Sequence, residues 1–528
     1  MLLQQLVNVV ITTTNFFLYD LYRNLLALDF FPGFNFLSNI YRGFMYLKQK
    51  KTVFIRKLAG NYGYIDNLST HQDLILDEAG YEFLKPLSRE GNTFEEIVDS
   101  LCSTFAGTDR KQIEQDALNF YTMLKNKGYI IIADSKEEAD AKDEGFSYAR
   151  LHSQNKKIES ITPTPAAEQT TLEFLNKHLP NVPNLLSVQI ECTSKCNERC
   201  VHCYIPHESK LKTMSSELFY KIIDECEQMG VMGLTLSGGE PMLNPEFPQW
   251  LRELQKRDFY ITILSNLTVL TDEIIEEMKK LNSVSVQVSL YSMVPQVHDQ
   301  ITKLPGSWMK TVNSILKLYN ADIQVQVSCP SMKLNMGHYK DVIRWAHSLK
   351  MRSGTDYIIM ARADHSTDNL ENRLTLEDTE ATIKDILEND DEYKELLLGY
   401  LKCGPKDRDT YANEPLCGVG MSFCEISAEG DVFPCAGWWD ANLGNVSTQS
   451  LKDIWDNSPK LKEFRALRKK DMPECLDCKD RSFCPICMAK NANENEDRNP
   501  LKPAKHFCKV AELNHKIAEE WLKKHGSK

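Results

Sequence analysis

Between residues 186 and 360 six short apolar segments alternate with helical runs, and this repeat constrains the fold more than any other feature of the chain. The segments are LSVQIE (186–191), GLTLS (233–237), YITILSN (260–266), VSVQVSL (284–290), IQVQVSC (323–329) and DYIIM (356–360). Runs such as SSELFYKIIDECEQM and TDEIIEEMKKL lie between them with apolar residues at helical spacing. Strands separated by helices pair in parallel through crossover connections, not as hairpins. The expectation is an α/β domain over 186–400 whose six parallel strands form a partial (β/α)6 barrel. Its chemistry then belongs at the carboxyl ends of the strands.

The first strand runs into Cys196, Cys200 and Cys203, spaced x3 then x2 within LSVQIECTSKCNERCVHCY (186–204). Three thiolates on one loop can hold three irons of a [4Fe–4S] cube and leave the fourth open to a small molecule. Of sixteen cysteines, four fall between Cys192 and Cys203 and nine between Cys403 and Cys508. Such dense clustering points to metal, not to disulfides. Cys192 offers a competing x3, x3 triad with Cys196 and Cys200, and spacing alone leaves both open. Cys102 and Cys226 lie on apolar helical faces and read as core residues. Cys329 ends the fifth strand, where packing is favoured over a place in the cavity.

Behind the second strand stands Ser237-Gly238-Gly239-Glu240-Pro241. The two glycines permit close backbone approach, and Glu240 supplies an acceptor for an ammonium group. Alone, this is equally an ordinary strand-to-helix turn. One βα unit after a three-cysteine loop, it resembles the GGEP motif of the radical S-adenosylmethionine (radical SAM) enzymes, as the cysteines resemble their CxxxCxxC loop. The resemblance covers residues 186–400. It implies that Cys196, Cys200 and Cys203 bind the first cluster, that Tyr204 fills the adjoining aromatic position, and that Gly238, Gly239, Glu240 and Pro241 hold the cofactor's methionine amino group. Ser265 and Asn266 match a ribose-contacting turn, and Ser289 a serine near the methionine carboxylate; ordinary strand-end capping is the alternative for all three. Cleavage of the chelated cofactor by one electron would give a 5′-deoxyadenosyl radical that removes hydrogen from unactivated carbon.

Downstream, Cys417-x12-Gly430-x4-Cys435 precedes Cys475-x2-Cys478-x5-Cys484-x2-Cys487 and then Cys508. Two Cys-x2-Cys pairs could build a zinc ribbon, but seven cysteines exceed one tetrahedral site. Their order resembles the SPASM extension of radical SAM enzymes, which carries two auxiliary [4Fe–4S] clusters and brings the implied total to three. On that template Cys417, Cys435 and Cys487 serve the first auxiliary cluster, and Cys475, Cys478, Cys484 and Cys508 the second. A fourth ligand for the first would be Cys403, the preferred choice, or Cys424. The family's usual x3 before the last clustered cysteine is x2 here, which leaves the place of Cys487 and an open iron in question. The extension would span 401–528.

Residues 46–135 read as short strands (TVFIRKL, YGYIDN, QDLIL), three helical stretches and a returning YIIIA, a winged-helix order. A DNA reader needs a basic footprint, yet 52–133 carries eight Lys and Arg against twelve Asp and Glu. The net charge of −12 over the whole chain likewise excludes a general nucleic-acid binder. The region resembles instead the PqqD-like element that binds the leader of a ribosomally made precursor peptide. There the leader adds as a strand, here to the sheet within 52–76 beside the helix of 109–127. A charged and Ser/Pro-rich linker is expected over 136–185. Residues 1–45 form an apolar extension that Asp20, Arg23 and Asp29 interrupt before a membrane-length run accumulates. Packing is expected of it, not membrane contact, and a cytoplasmic location follows.

The resemblances together imply a radical SAM/SPASM maturase of a precursor peptide, drawing electrons from a donor such as flavodoxin or ferredoxin. Cysteine thioether formation of the sactipeptide or ranthipeptide type is the favoured reaction. Carbon–carbon linkage, epimerisation, decarboxylation and formylglycine formation are its enzymatic alternatives, and an iron–sulfur winged-helix regulator the non-enzymatic one. The sequence offers no visible general acid or base.

Overall fold

A computed structural model describes residues 45–58, 61–70, 72–153, 184–209, 211–403 and 407–525. Apart from Met45, the apolar extension of 1–45 falls outside these residues, as does most of the linker. Those described form two compact units, 45–145 with Asn184, and 146–153 with 185–525. No described helix is long and apolar enough to cross a membrane.

In the first unit, β2 (Val53–Lys57), β3 (Gly63–Asn67) and β4 (Gln72–Leu76) make an antiparallel sheet in that order. Val53, Ile65, Leu74 and Leu76 pack on three helices, α1 (Glu78–Leu84), α2 (Phe94–Thr104) and α3 (Arg110–Asn126). Thr93 begins α2 with a capping box: its hydroxyl accepts from the Glu96 N–H, and the Glu96 carboxylate accepts from the Thr93 N–H. The returning strand β6 (Ile130–Ala133) does not rejoin that sheet. It pairs with β1 (Tyr46–Gln49), which also pairs with the two-residue β5 (Asn92–Thr93). Part of the expected linker is helical, since α4 (Lys136–Lys142) sets Asp140 against the buried Lys48 of β1.

The second unit holds a nine-stranded sheet in which β7 (Ser187–Thr193), β8 (Gly233–Gly238), β9 (Tyr260–Ser265), β10 (Val284–Ser289), β11 (Gln324–Pro330) and β12 (Arg352–Asp356) lie side by side in chain order, all parallel. The sixth strand is thus RSGTD and not DYIIM. Tyr357 and Ile359 are buried as the chain leaves the sheet, which gave the later segment its strand-like look.

Alternation sorts the strands' side chains. Val188, Ile190, Leu234, Leu236, Val286, Val288, Val325 and Val327 face the helices in one large core. Each contributes about 1.5–3 kcal/mol by leaving water. Gln189, Glu191, Thr235, Ser237, Gln287, Ser289, Gln326 and Ser328 therefore line the other, concave face. Registers Gln189↔Thr235, Gln287↔Gln326 and Ser289↔Ser328 make polar rows across it.

Past β7 the sheet continues into the C-terminal region. β13 (Phe423–Ile426) runs parallel to β7 with Glu425 opposite Gln189, and β14 (Asp431–Phe433) and β15 (Gly444–Asn445) follow antiparallel. Helices α5 (Ser216–Gln228) and α6 (Phe247–Leu254) cover the outer face through Phe219 and Trp250, stacked with centroids 4.1 Å apart. Trp250 also donates to Ser216 Oγ at 2.8 Å. Trp250→Ala is expected to destabilise the cluster-free protein by about 3–5 kcal/mol, read as a lower denaturant midpoint with little change in slope.

Candidate functional site

The cysteine loop is built by its neighbours. A register shift between Glu191 and Thr193 ends the β7–β8 pairing. Gly238, at φ +137°, then meets the loop: an added Cβ would lie 2.1 Å from the Thr193 carbonyl oxygen. At Gly239 it would lie 2.2 Å from that of Lys195. The Gly239 N–H donates to Thr193 O and the Glu240 N–H to Lys195 O, each at 2.8 Å. These glycines dock the second βα turn onto the residues just before Cys196.

Glu240 is fully buried and its carboxylate faces the protein. It accepts from Ser265 Oγ at 2.9 Å, the Asn266 N–H at 2.8 Å and the Met242 N–H at 3.1 Å. Burial pushes its pKa up to about 7 against those three donors. Ser265 and Asn266 thereby join the β8 turn to the β9 turn. Asn266 Nδ2 reaches Cys196 Sγ at 3.9 Å and Asn197 Oδ1 at 3.1 Å. The Cys200 thiol donates to Glu198 at 3.2 Å, and burial followed by Glu198 holds it well above the usual thiol range. A bound metal is what would draw off that proton.

Ser289 lies on the concave face near Tyr291, whose phenol also lies near Cys200 and 3.4 Å from His202 Nε2. Glu198, His202 and Tyr291 are neighbours of the loop that spacing alone did not single out. The usable signal was their position beside cysteines and at a strand end. Tyr204 turns toward the C-terminal cysteines. Its ring closes on Gly437, where a Cβ would come within 2.9 Å. Its phenol, held well above the ordinary range first by burial, faces Glu425, Cys203, Glu191 and Cys435.

The C-terminal cysteines separate into two groups. Cys435 lies in the field of Cys487 and Cys417; Cys484 in that of Cys508, Cys475 and Cys478. The second four line a cavity of about 200 Å³ with Tyr411, Arg481 and Lys505. Cys424 joins neither: it is fully buried on the helix side of β13, beside Cys226 of α5. Cys403 ends the helix Asp391–Cys403, and its side chain lies outside the described ones. Cys192 and Cys329 are core residues; burial pushes Cys329 up to about 12. Among the described residues no three ligating side chains gather closely enough for a single metal ion. A cube of four irons instead takes each thiolate at its own iron, and groups of three, three and four thiols fit that donor set.

Family models match the chain at residues 190–346 (Radical SAM superfamily), 417–479 (SPASM, iron–sulfur cluster-binding domain) and 68–130 (coenzyme PQQ synthesis protein D, PqqD). The AdoMet-dependent heme synthase of Methanosarcina barkeri is 26% identical over 59% of this chain and 93% of its own. The antilisterial bacteriocin subtilosin biosynthesis protein AlbA of Bacillus subtilis is 27% identical over 60% of this chain and 69% of its own. Streptococcus suis SuiB, solved bound to precursor peptide SuiA, superposes with a TM-score of 0.59 at 16% identity, covering 86% of this chain and 98% of that one.

Gly239→Ala forces a Cβ into backbone that cannot yield. We expect a loss of at least about 2 kcal/mol in the cluster-free protein and about four fewer irons per chain after reconstitution. Wild-type stability and iron content would show that the turn is not docked as described.

Proposed function

Given the radical SAM, SPASM and PqqD domains of this chain, we propose that it modifies a ribosomally made precursor peptide by joining a cysteine sulfur to carbon. Bound clusters and S-adenosylmethionine would supply the reducing electron, the hydrogen-abstracting radical and an acceptor for the electron released as the new bond closes. The chain's part is to hold and orient. Cys196, Cys200 and Cys203 would hold the first cluster, with Asn266 donating to the Cys196 sulfur. The Gly238–Gly239 turn keeps their loop in place, and Glu240 fixes the neighbouring β9 turn.

The observation that carries the thioether reading is the three-thiol set Cys417, Cys435 and Cys487 beside Tyr204, itself next to Cys203. Cys424 is turned away into the core, which leaves Cys403 as the candidate fourth ligand from the chain. The fourth iron is assigned to a substrate thiolate in place of Cys403 during the reaction. In the N-terminal unit, β2 and β4 are edge strands among the described residues. The leader is proposed to add at this sheet, alongside α3, through backbone hydrogen bonds.

The test is co-incubation of the reconstituted enzyme with the product of a short neighbouring reading frame containing cysteine, read by tandem mass spectrometry. One thioether removes two hydrogens, one from carbon and one as the thiol proton, and protects that cysteine from alkylation. Unchanged mass overturns the peptide-modifying reading. Loss of two hydrogens with every cysteine still alkylated overturns the thioether and favours a carbon–carbon link. Removing Cys417, Cys435 and Cys487 together is expected to cost about four irons and to abolish cross-linking.

A further inference from the structure

We propose that the concave chamber between the two cysteine groups binds a positively charged side chain of the substrate peptide, with Glu425 as its main anion and Glu191 and Tyr204 beside it. This rests on the peptide-modifying reading and names the side-chain class that the site selects. Glu425 stands on β13 opposite Gln189 of β7, on the face away from Cys424 and the helices. It is 7% exposed. One carboxylate oxygen accepts from Gln189 Nε2 at 2.9 Å and the other from the Gly437 N–H at 3.3 Å. A carboxylate offers about four acceptor positions, so capacity remains on both oxygens.

Beside those two N–H donors, the one charged neighbour acting on Glu425 among the described residues is itself an acid. Burial and then Glu191 push Glu425 up to about 7, and no cation contributes to its field among the described residues. Glu191, which accepts from the Ala428 N–H at 3.1 Å, sits one row nearer the mouth on the same face. The Tyr204 phenol faces both glutamates and the two cysteines Cys203 and Cys435.

An independent feature points the same way. Asn493, 2% exposed, gives its Nδ2 to Gly437 O at 2.9 Å, while its Oδ1 has no partner among the described residues. Gly437 is also the residue whose N–H holds Glu425, so Asn493 and Glu425 are tied to the same residue. A buried anion such as Glu425, with no cation in its field among the described residues, is costly unless a ligand brings one. A lysine or arginine side chain reaches such a depth on an apolar stem and ends in nothing but donors.

The test uses the full-length reconstituted enzyme with S-adenosylmethionine and two fluorescein-labelled decapeptides of glycine and alanine, one with a central lysine and its twin with norleucine. Fluorescence anisotropy is expected to show at least about tenfold tighter binding of the lysine peptide to the wild type. In Glu425→Gln, which removes the charge and keeps one acceptor oxygen for Gln189 or Gly437, the ratio should fall below about twofold with iron content unchanged. Should that variant misfold, Glu191→Gln takes its place with the same criterion. Equal affinities for the two peptides, a ratio indifferent to the substitution, or no binding of the lysine peptide below about 1 mM overturns the cation site. Equal but measurable affinities would do so while leaving the peptide-modifying reading intact, because mass change tests that reading separately.

Discussion

The pairing of β13 with β7 is the contact on which the arrangement of the second unit depends. Four parallel register positions, Phe423↔Ser187 to Ile426↔Ile190, make a hairpin of the C-terminal region the next strand of the barrel sheet. Backbone hydrogen bonds then fix, residue by residue, which side chains of the two regions face each other. Glu425 meets Gln189, and the return strand brings Cys435 and Gly437 against Tyr204. A flexible tether could not hold two cysteine groups in register across one chamber.

The barrel strands share a second constraint, the polarity of their alternate residues. Filled barrels close over layers of branched apolar side chains. Here glutamine, serine, threonine and glutamate occupy the inward positions, so apolar collapse does not fill the chamber. The outer face compensates, packing valine, isoleucine and leucine against helices. Burial energy is concentrated outside the sheet and chemistry inside it.

Much of this was legible in the residues, for physical reasons that differ by element. VSVQVS and QVQVS read as strands because alternation has period two; which chemistry their second face carries followed from the paired registers. The x3, x2 cysteine spacing read as a metal-holding loop, and the two glycines as a turn made for close approach; that what approaches them is the backbone of Thr193 and Lys195 depends on tertiary packing that spacing does not encode. The sixth strand was misplaced because an edge strand, RSGTD, needs little apolar character, whereas buried Tyr357 and Ile359 look like a strand without being one. The pairing of β6 with β1 was missed because four residues of YLKQ carry no distinctive pattern, and their register is set by Ile130–Ala133 some eighty residues away. The roles of Cys424 and Tyr204 depend on which face of a strand or turn they occupy. Spacing does not encode that, whereas contact with Cys226 and with Gly437 does.

The docked glycine turn also bears on the order in which the site is assembled. Thr193 and Lys195 are tied to Gly239 and Glu240, Ser194 N–H to Lys212 O, Arg199 N–H to Thr302 O and Val201 N–H to Ile301 O. These contacts order the loop carrying Cys196, Cys200 and Cys203 without using its thiols. In small metal-folded domains the ion must pay for ordering its own ligands. Here that entropy is already spent on the sheet, and the affinity left to the first cluster is free to be set by sulfur basicity and by the donors around it.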